Sequence, residues 1–409
     1  MLDRKPATSV SDPGADLRAR VRSRPDAIRE QLRGLDARQI ADRVQALPPI
    51  VREEILALVE RPEEVVPLIN EVELVSTLRA TGLADAGWLL EFASPEQRVA
   101  CIDLDCWRDT RLSLHRVGEW LDALTEAGPH VLAAALDEFD PELWVLLMQE
   151  LADFAVLSAD AEPPDGLTED GMVWYYPHQE GQETRLSEIL RIAFSEAPER
   201  YWQMIYGAIY ESGAESQEFA LRWHRARLND LGFPDRDRAL RLYAPLRVSD
   251  APVFDSGPLA AESGVATTSQ LPRRLRGTLI GRALAELPPD RAAEMLGYVL
   301  AVGNAVAIAD RLPLADPETV EQSLRKAVRG VDRGLRALTT SRRQTPGQVL
   351  DRVAPFDLFR IGVGLDPELR LGRSLADIED EEETATADWD VQTEVQEPEI
   401  IDSPEATVE

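Results

Sequence analysis

Lysine is nearly missing from this 409-residue chain. Only Lys5 and Lys326 occur, so the remainder of the 44 basic residues are arginine. Asparagine is as scarce, at Asn70, Asn229 and Asn304. Both scarcities fit a codon bias toward Arg, Ala and Asp rather than a functional demand for guanidinium groups. The two cysteines, Cys101 and Cys106, are too few for a disulfide framework, and their spacing needs further ligands before it makes a metal site. The catalytic signatures that can be read from short motifs are missing too. There is no Gly-rich phosphate loop ending in Lys-Ser/Thr, no strand-led GxGxxG, no HExxH, no GxSxG and no CxxC pair. Gly362-Val363-Gly364 lacks the third glycine of a dinucleotide loop.

Long apolar runs are lacking as well. The longest, Met295 to Ala309, is about fifteen residues, short of the roughly twenty that a bilayer requires, and Asn304 interrupts it. A buried helix is the expectation. The first residues, MLDRKPATSVSDPGADLRAR, contain no apolar stretch of the kind a signal peptide needs. Excess positive charge is the last thing missing. The net charge is −30. Fourteen of the acids fall between Asp377 and Glu409, where no Lys or Arg occurs, which leaves −16 on the rest. Nucleic acid and anionic lipid both need a basic footprint, so neither is an expected partner. A soluble, cytoplasmic protein without membrane insertion is expected, with no cofactor.

What the chain does have is a recurring phrase: proline, an acidic residue, then apolar residues at helical spacing. It occurs at Pro25, Pro62, Pro95, Pro141, Pro198, Pro289, Pro317 and Pro367. Proline at the first helical position has its φ pre-set and lacks an N–H that the helix would leave unpaired. The following carboxylate faces the positive end of the helix dipole. Many short helices are therefore expected, each apolar on one side and sheltered by its neighbours. Leu143, Trp144, Leu147, Met148 and Leu151 form one such stripe. Tyr201, Trp202, Ile205, Tyr206 and Ile209 form another, and Val320, Leu324, Val328, Val331, Leu335 and Leu338 a third, which Gly330 and Gly334 weaken. The phrases follow no fixed interval, so the array is irregular.

The expected organisation is all-α, as irregular stacked helical repeats of superhelical or solenoid-like type. Residues 1–18 read as a disordered N-terminus and 19–158 as a helical repeat domain. Residues 159–184 read as an irregular insertion, whose centre Met172–Tyr176 has strand propensity and suggests a short hairpin or ordered loop. A helical block at 185–243, a linker or long loop at 244–271, a C-terminal helical domain at 272–376 and a disordered acidic tail at 377–409 complete the chain.

The stretches LRGLDARQIADRVQALPPIVREEILALV (32–59), GLADAGWLLEFASPEQRVACIDLD (82–105) and LIGRALAELPPDRAAEMLGYVL (279–300) resemble the helical repeats of the intracellular N-terminal domain of MgtE-type magnesium transporters. Over its whole length the chain resembles an uncharacterised bacterial family of large helical proteins with such repeats. The transporter's membrane helices and nucleotide-like regulatory modules have no counterpart here. The resemblance implies a stacked-helix fold, not magnesium transport, and it supplies no activity.

Chemistry-bearing residues are few. Cys101, Asp103, Asp105 and Cys106 crowd one segment, but they mix soft and hard ligands that no single ion prefers. A helix end with small buried cysteines is expected there. His115 and His224 lie in amphipathic patterns and read as helix-surface residues, while His130 sits at a helix boundary. Trp174, Tyr175, Tyr176 and His178 are the candidate binding surface, since aromatics with polar tips on irregular segments suit interfaces. Burial of these rings against the helical body is the competing reading. The leading functional expectation is a non-enzymatic scaffold or regulatory protein that binds a protein partner. An enzyme with its site near residues 172–180, or a divalent-cation-sensing helical domain, is the alternative.

Overall fold

Every one of the eight proline-acid phrases begins a helix. Pro25, Pro62, Pro95, Pro141, Pro198, Pro289 and Pro317 start α-helices, and Pro367 starts a 3-10 turn. Proline also opens the helices Pro49–Leu56, Pro129–Glu138, Pro346–Arg352 and Pro355–Leu365. The computed structural model describes residues 13–156, 173–178, 183–252, 275 and 277–372. Among these there are twenty α-helices and two antiparallel pairs of short strands. The chain is all-α, an irregular stack of helices. The described residues up to Leu371 form one compact unit, so the helical blocks on either side of 244–271 share it.

Caps reinforce the prolines. Asp36, Ser94 and Thr345 each accept a backbone N–H three residues on, while Gln39, Gln97 and Gln348 reach back to the cap amide. These reciprocal boxes satisfy donors that the first turn would otherwise leave orphaned.

In the first half, most helices pack on others one to three α-helices further along the chain. Pro49–Leu56 packs on Glu71–Thr81, which packs on Pro95–Asp105. Pro141–Leu151 lies against both Pro198–Tyr210 and Gly213–Asp230, burying Leu143, Trp144, Leu147, Met148 and Leu151 as expected. The tie across the first repeat is ionic. Arg52, fully buried, meets the Glu73 carboxylate at 2.6 Å. It also donates to the carbonyls of Leu47, Gln45 and Glu73 and to Thr77 Oγ1.

The second half is organised around Pro317–Arg342, which packs on Pro289–Ala309 and on Pro355–Leu365. Leu324, Val328, Val331, Leu335 and Leu338 are all buried in this core. Gly330 and Gly334 do more than weaken the stripe. A Cβ at Gly334 would lie 1.9 Å from the Leu358 carbonyl oxygen, and one at Gly362 would lie 2.1 Å from the Gly330 carbonyl oxygen. Small residues let these two backbones touch. The helix Pro289–Ala309 is longer than its apolar run suggested, at 21 residues. By length and composition it could cross a membrane, with a mean hydropathy of 1.6, but 56% of its most apolar window is buried within the protein.

Some boundaries differ from the sequence reading. A helix already runs over Pro13–Ser23, beginning inside residues 1–18, the stretch expected to be disordered. The first long helical stretch ends at Leu151, where the chain turns into the strand Ala152–Val156. That strand pairs with Val173–Pro177, with Phe154 opposite Tyr175. The hairpin is thus real, but half of it comes from residues read as helix, because a helical stripe conceals a short alternating segment that follows it directly. A second, two-residue pair joins Trp107–Arg108 to Arg111–Leu112. Most of the insertion 159–184, most of the linker 244–271 and the acidic tail 377–409 lie outside the described residues, as do residues 1–12.

Candidate functional site

An open groove of about 970 Å3 lies among the helices of residues 37–231. Its walls come from the helix Ala37–Gln45, the turn at residues 67–71, the helix Pro95–Asp105, Glu138, and the end of the helix Gly213–Asp230. Local sequence sets each wall. Ser94 and Pro95 start the third of these, and Gln97, at its third position, takes the Ser94 amide with Oε1 and keeps Nε2 to donate elsewhere. Gln97 Nε2 donates to the carbonyls of Val66 and Ile69 at 2.8 and 2.6 Å, which pins the 67–70 turn as one lip. Gln45 Oε1 accepts from the Asn70 amide at 2.8 Å and ties the same lip to the neighbouring helix.

At the floor, Asp103 emerges from Pro95–Asp105 with its carboxylate 2% exposed as a residue. It faces two side chains one helical turn apart on Gly213–Asp230. His224 Nδ1 lies 3.1 Å from Asp103 Oδ1, and Arg227 Nε lies 2.5 Å from Asp103 Oδ2. Arg227 also extends Nη1 to Asp140 Oδ2 at 2.6 Å. Burial opposes the charge on Arg227, yet the two carboxylates overcome it and hold its pKa above the ordinary arginine value. Burial pushes Asp140 above the usual aspartate range, against the pull of Arg227. The His224 ring stacks on Trp107, with centroids 4.6 Å apart and planes at 17°. Beside this cluster, Arg98 holds Glu138 through two bonds, Nε at 2.7 Å and Nη2 at 2.5 Å.

His224 was expected on a helix surface and is instead 4% exposed. Its amphipathic pattern was real, but the face that carries it turns toward Asp103, and a polar residue on a buried face reads as surface until its partner is known. His115 matches its expectation, with its side chain 83% exposed. Cys101 and Cys106 are both buried and unbonded to each other, and burial pushes both thiols far up. Asp105 goes to Trp120 Nε1 at 2.9 Å and to Arg79, whose guanidinium lies over the Trp120 ring. The cysteine-aspartate segment is thus a helix end packed into the core. Among the described residues, no three His, Cys, Asp or Glu side chains come together as a metal site would require.

The expected surface at Trp174–His178 lies on the second strand of the hairpin. Tyr175 is buried and Tyr176 exposed, as alternation along a strand dictates. His178 Nε2 lies 3.3 Å from Asp153, and its Nδ1 lies 3.1 Å from the Glu150 carbonyl. None of Trp174, Tyr175, Tyr176 and His178 lines the groove. The stripe on Pro198–Tyr210 divides. Tyr201 and Ile205 are buried, while Trp202, Tyr206 and Tyr210 stack outward in a ladder. Sequence reasoning missed the groove because its walls come from five separated segments. The one local signal was the Asp103 segment itself.

No curated protein and no solved structure matches this chain. Residues 29–388 do match a family model, and on that match the chain belongs to a family of unknown function, DUF6178.

Proposed function

We propose that this protein is a non-enzymatic helical scaffold or regulatory protein that seats a segment of a protein partner in the groove between Ala37–Gln45, Pro95–Asp105 and the end of Gly213–Asp230. The observation that carries the reading is the groove itself, open and about 970 Å3 in volume, framed by helices held rigid by capping boxes and buried ion pairs. Stacked helical arrays expose surfaces of this kind, and proteins built this way commonly use them for partners. The polar groups at the groove floor are engaged with one another. Arg227 is spent on Asp103 and Asp140, and Arg98 on Glu138, which suits a framework better than a site of acid–base turnover.

The reading extends to ancestry and place. The Leu-Pro-Pro phrases at residues 47–49 and 287–289 both open helices, Pro49–Leu56 and Pro289–Ala309. That supports treating these segments as kin to the helical repeats of MgtE-type transporters, without the transport function. A cytoplasmic location goes with it, in keeping with two thiols that stay unpaired.

The test uses the full chain as bait in mild extracts of the native cell, beside a Val99→Trp variant that fills the groove. One stoichiometric partner retained by the unmodified chain and lost with Val99→Trp is the expected result. A monodisperse monomer that retains no stoichiometric partner contradicts the reading.

A further inference from the structure

We infer that the groove is built for a basic amphipathic segment of a partner protein, one that carries arginine or lysine beside an apolar face. The inference rests on the scaffold reading above and names the chemistry of its occupant. Six carboxylates line the groove, those of Asp42, Glu71, Glu96, Asp103, Glu138 and Asp230, against the two guanidinium groups of Arg38 and Arg227. The carboxylates are not equivalent. Asp103 and Glu138 are consumed by Arg227 and Arg98. Asp42 has Arg38 at 3.3 Å on the surface, a contact that water weakens.

Glu71 and Glu96 accept hydrogen bonds from neutral groups, the Asn70 amide at 3.0 Å and the Ser94 hydroxyl at 2.9 Å, and Glu96 feels Arg98 at longer range without a bond to it. Asp230, exposed at the end of its helix, has no described ion pair. These three stand on three different walls, so they present negative charge spread around the groove rather than gathered at a point. Since no metal-like convergence of such groups occurs among the described residues, several separate cations along a chain match them better than one ion.

Between the carboxylates the lining includes apolar side chains alongside Gln45 and Asn70. Leu68 on the 67–70 lip is 36% exposed, and Val99 and Leu231 face the same space. An occupant that pairs with the rim and also covers these side chains has cations flanking an apolar stripe, the pattern of a helix laid in a groove. Charge complementarity of this kind directs encounter and excludes acidic competitors. The protein's own acidic balance works in the same direction at longer range.

The experiment titrates the full chain with a fluorescein-labelled synthetic peptide of about sixteen residues, with leucine at helical i, i+3, i+4, i+7 spacing and lysine on the opposite face, and with a second peptide in which glutamate replaces lysine. Saturable binding of the lysine peptide alone is expected. It should weaken about tenfold in a Glu71→Gln, Glu96→Gln, Asp230→Asn variant whose thermal melt is unchanged. It should also weaken with Leu68→Asp, and as salt rises. Equal binding by the triple variant, or equal binding of the two peptides, overturns the inference. A parallel arm separates this failure from failure of the scaffold reading. A photo-crosslinking residue at position 99 of the full chain is activated in native-cell extract, and the attached segment is sequenced. Attachment to an acidic or uncharged partner segment overturns the cationic occupant and leaves the scaffold reading standing. No peptide binding together with no attachment removes both.

Discussion

Arg227 and Asp103 are joined at 2.5 Å across 124 positions of sequence, and the Asp103 side chain is only 1% exposed. Removing Arg227 leaves the buried Asp103 carboxylate with the His224 ring, 3.1 Å away, as its remaining described partner, and strips Asp140 of its cation. Arg227→Ala is expected to lose about 3–5 kcal/mol of stability in urea unfolding. Because Asp103→Ala removes the group that suffers, the double variant should lose clearly less than the sum of the two. Additive losses would mean that the two side chains stabilise the fold independently and do not tie it as a pair.

Arg52 makes a sharper demand. Its guanidinium serves the Glu73 carboxylate, three carbonyls and Thr77 Oγ1 at once. A lysine ammonium has three donors and no fork, so Arg52→Lys keeps the charge and loses the geometry. Arg52→Lys should therefore recover little of the stability lost in Arg52→Ala, as measured by chemical denaturation. Recovery to the unmodified midpoint would show that charge alone matters at this position.

The backbone contact between Pro317–Arg342 and Pro355–Leu365 leaves no space for a methyl group. Gly334→Ala would drive Cβ to 1.9 Å from the Leu358 carbonyl oxygen. Overpacking at such a site costs about 1–3 kcal/mol or more. Gly297, whose added Cβ meets nothing within 4 Å, is the control. Gly297→Ala should leave the thermal midpoint unchanged or raise it, since alanine favours the helix, while Gly334→Ala lowers it. Equal midpoints would contradict the close approach.

Asp332 gives a pH signature. It accepts from the amides of Leu279 and Ile280 at 3.0 and 2.8 Å and so caps a helix other than its own. Burial nevertheless outweighs those bonds and raises its pKa above the usual aspartate value. A raised folded-state pKa means that the group's stabilisation is complete below the ordinary aspartate pKa, about 4, and is lost as pH rises through the folded value. The stability advantage of the unmodified chain over Asp332→Asn should therefore shrink between pH 4 and pH 7 in a series of urea titrations. An advantage that grows with pH would place Asp332 among the carboxylates stabilised by partners.

The fold was largely legible in the sequence because its signals are local. A proline, an acid and a stripe specify where a helix begins and which side it buries, and Pro95, Pro141 and Pro317 needed no distant information. Gly330 and Gly334 looked like weak points because a glycine's value lies in what approaches it, and that partner is another helix. His224 was misplaced for the same reason, since only the arrival of Asp103 and Trp107 makes a polar face a buried one. Of the groove, only the Asp103 segment was legible. Its lips depend on Gln97 reaching the carbonyls of Val66 and Ile69, a contact between side chain and backbone that carries no sequence signature. The hairpin at Val173–Pro177 was anticipated from its aromatic content, but its partner strand was hidden behind the end of a helix.

The most direct measurement is hydrogen exchange of the full chain, alone and with the partner retained by it. The account predicts slowed exchange confined to the groove walls, in residues 67–71, 95–103 and 227–231. Protection at the 173–178 hairpin and along 198–210, with the groove walls exchanging as before, would contradict it.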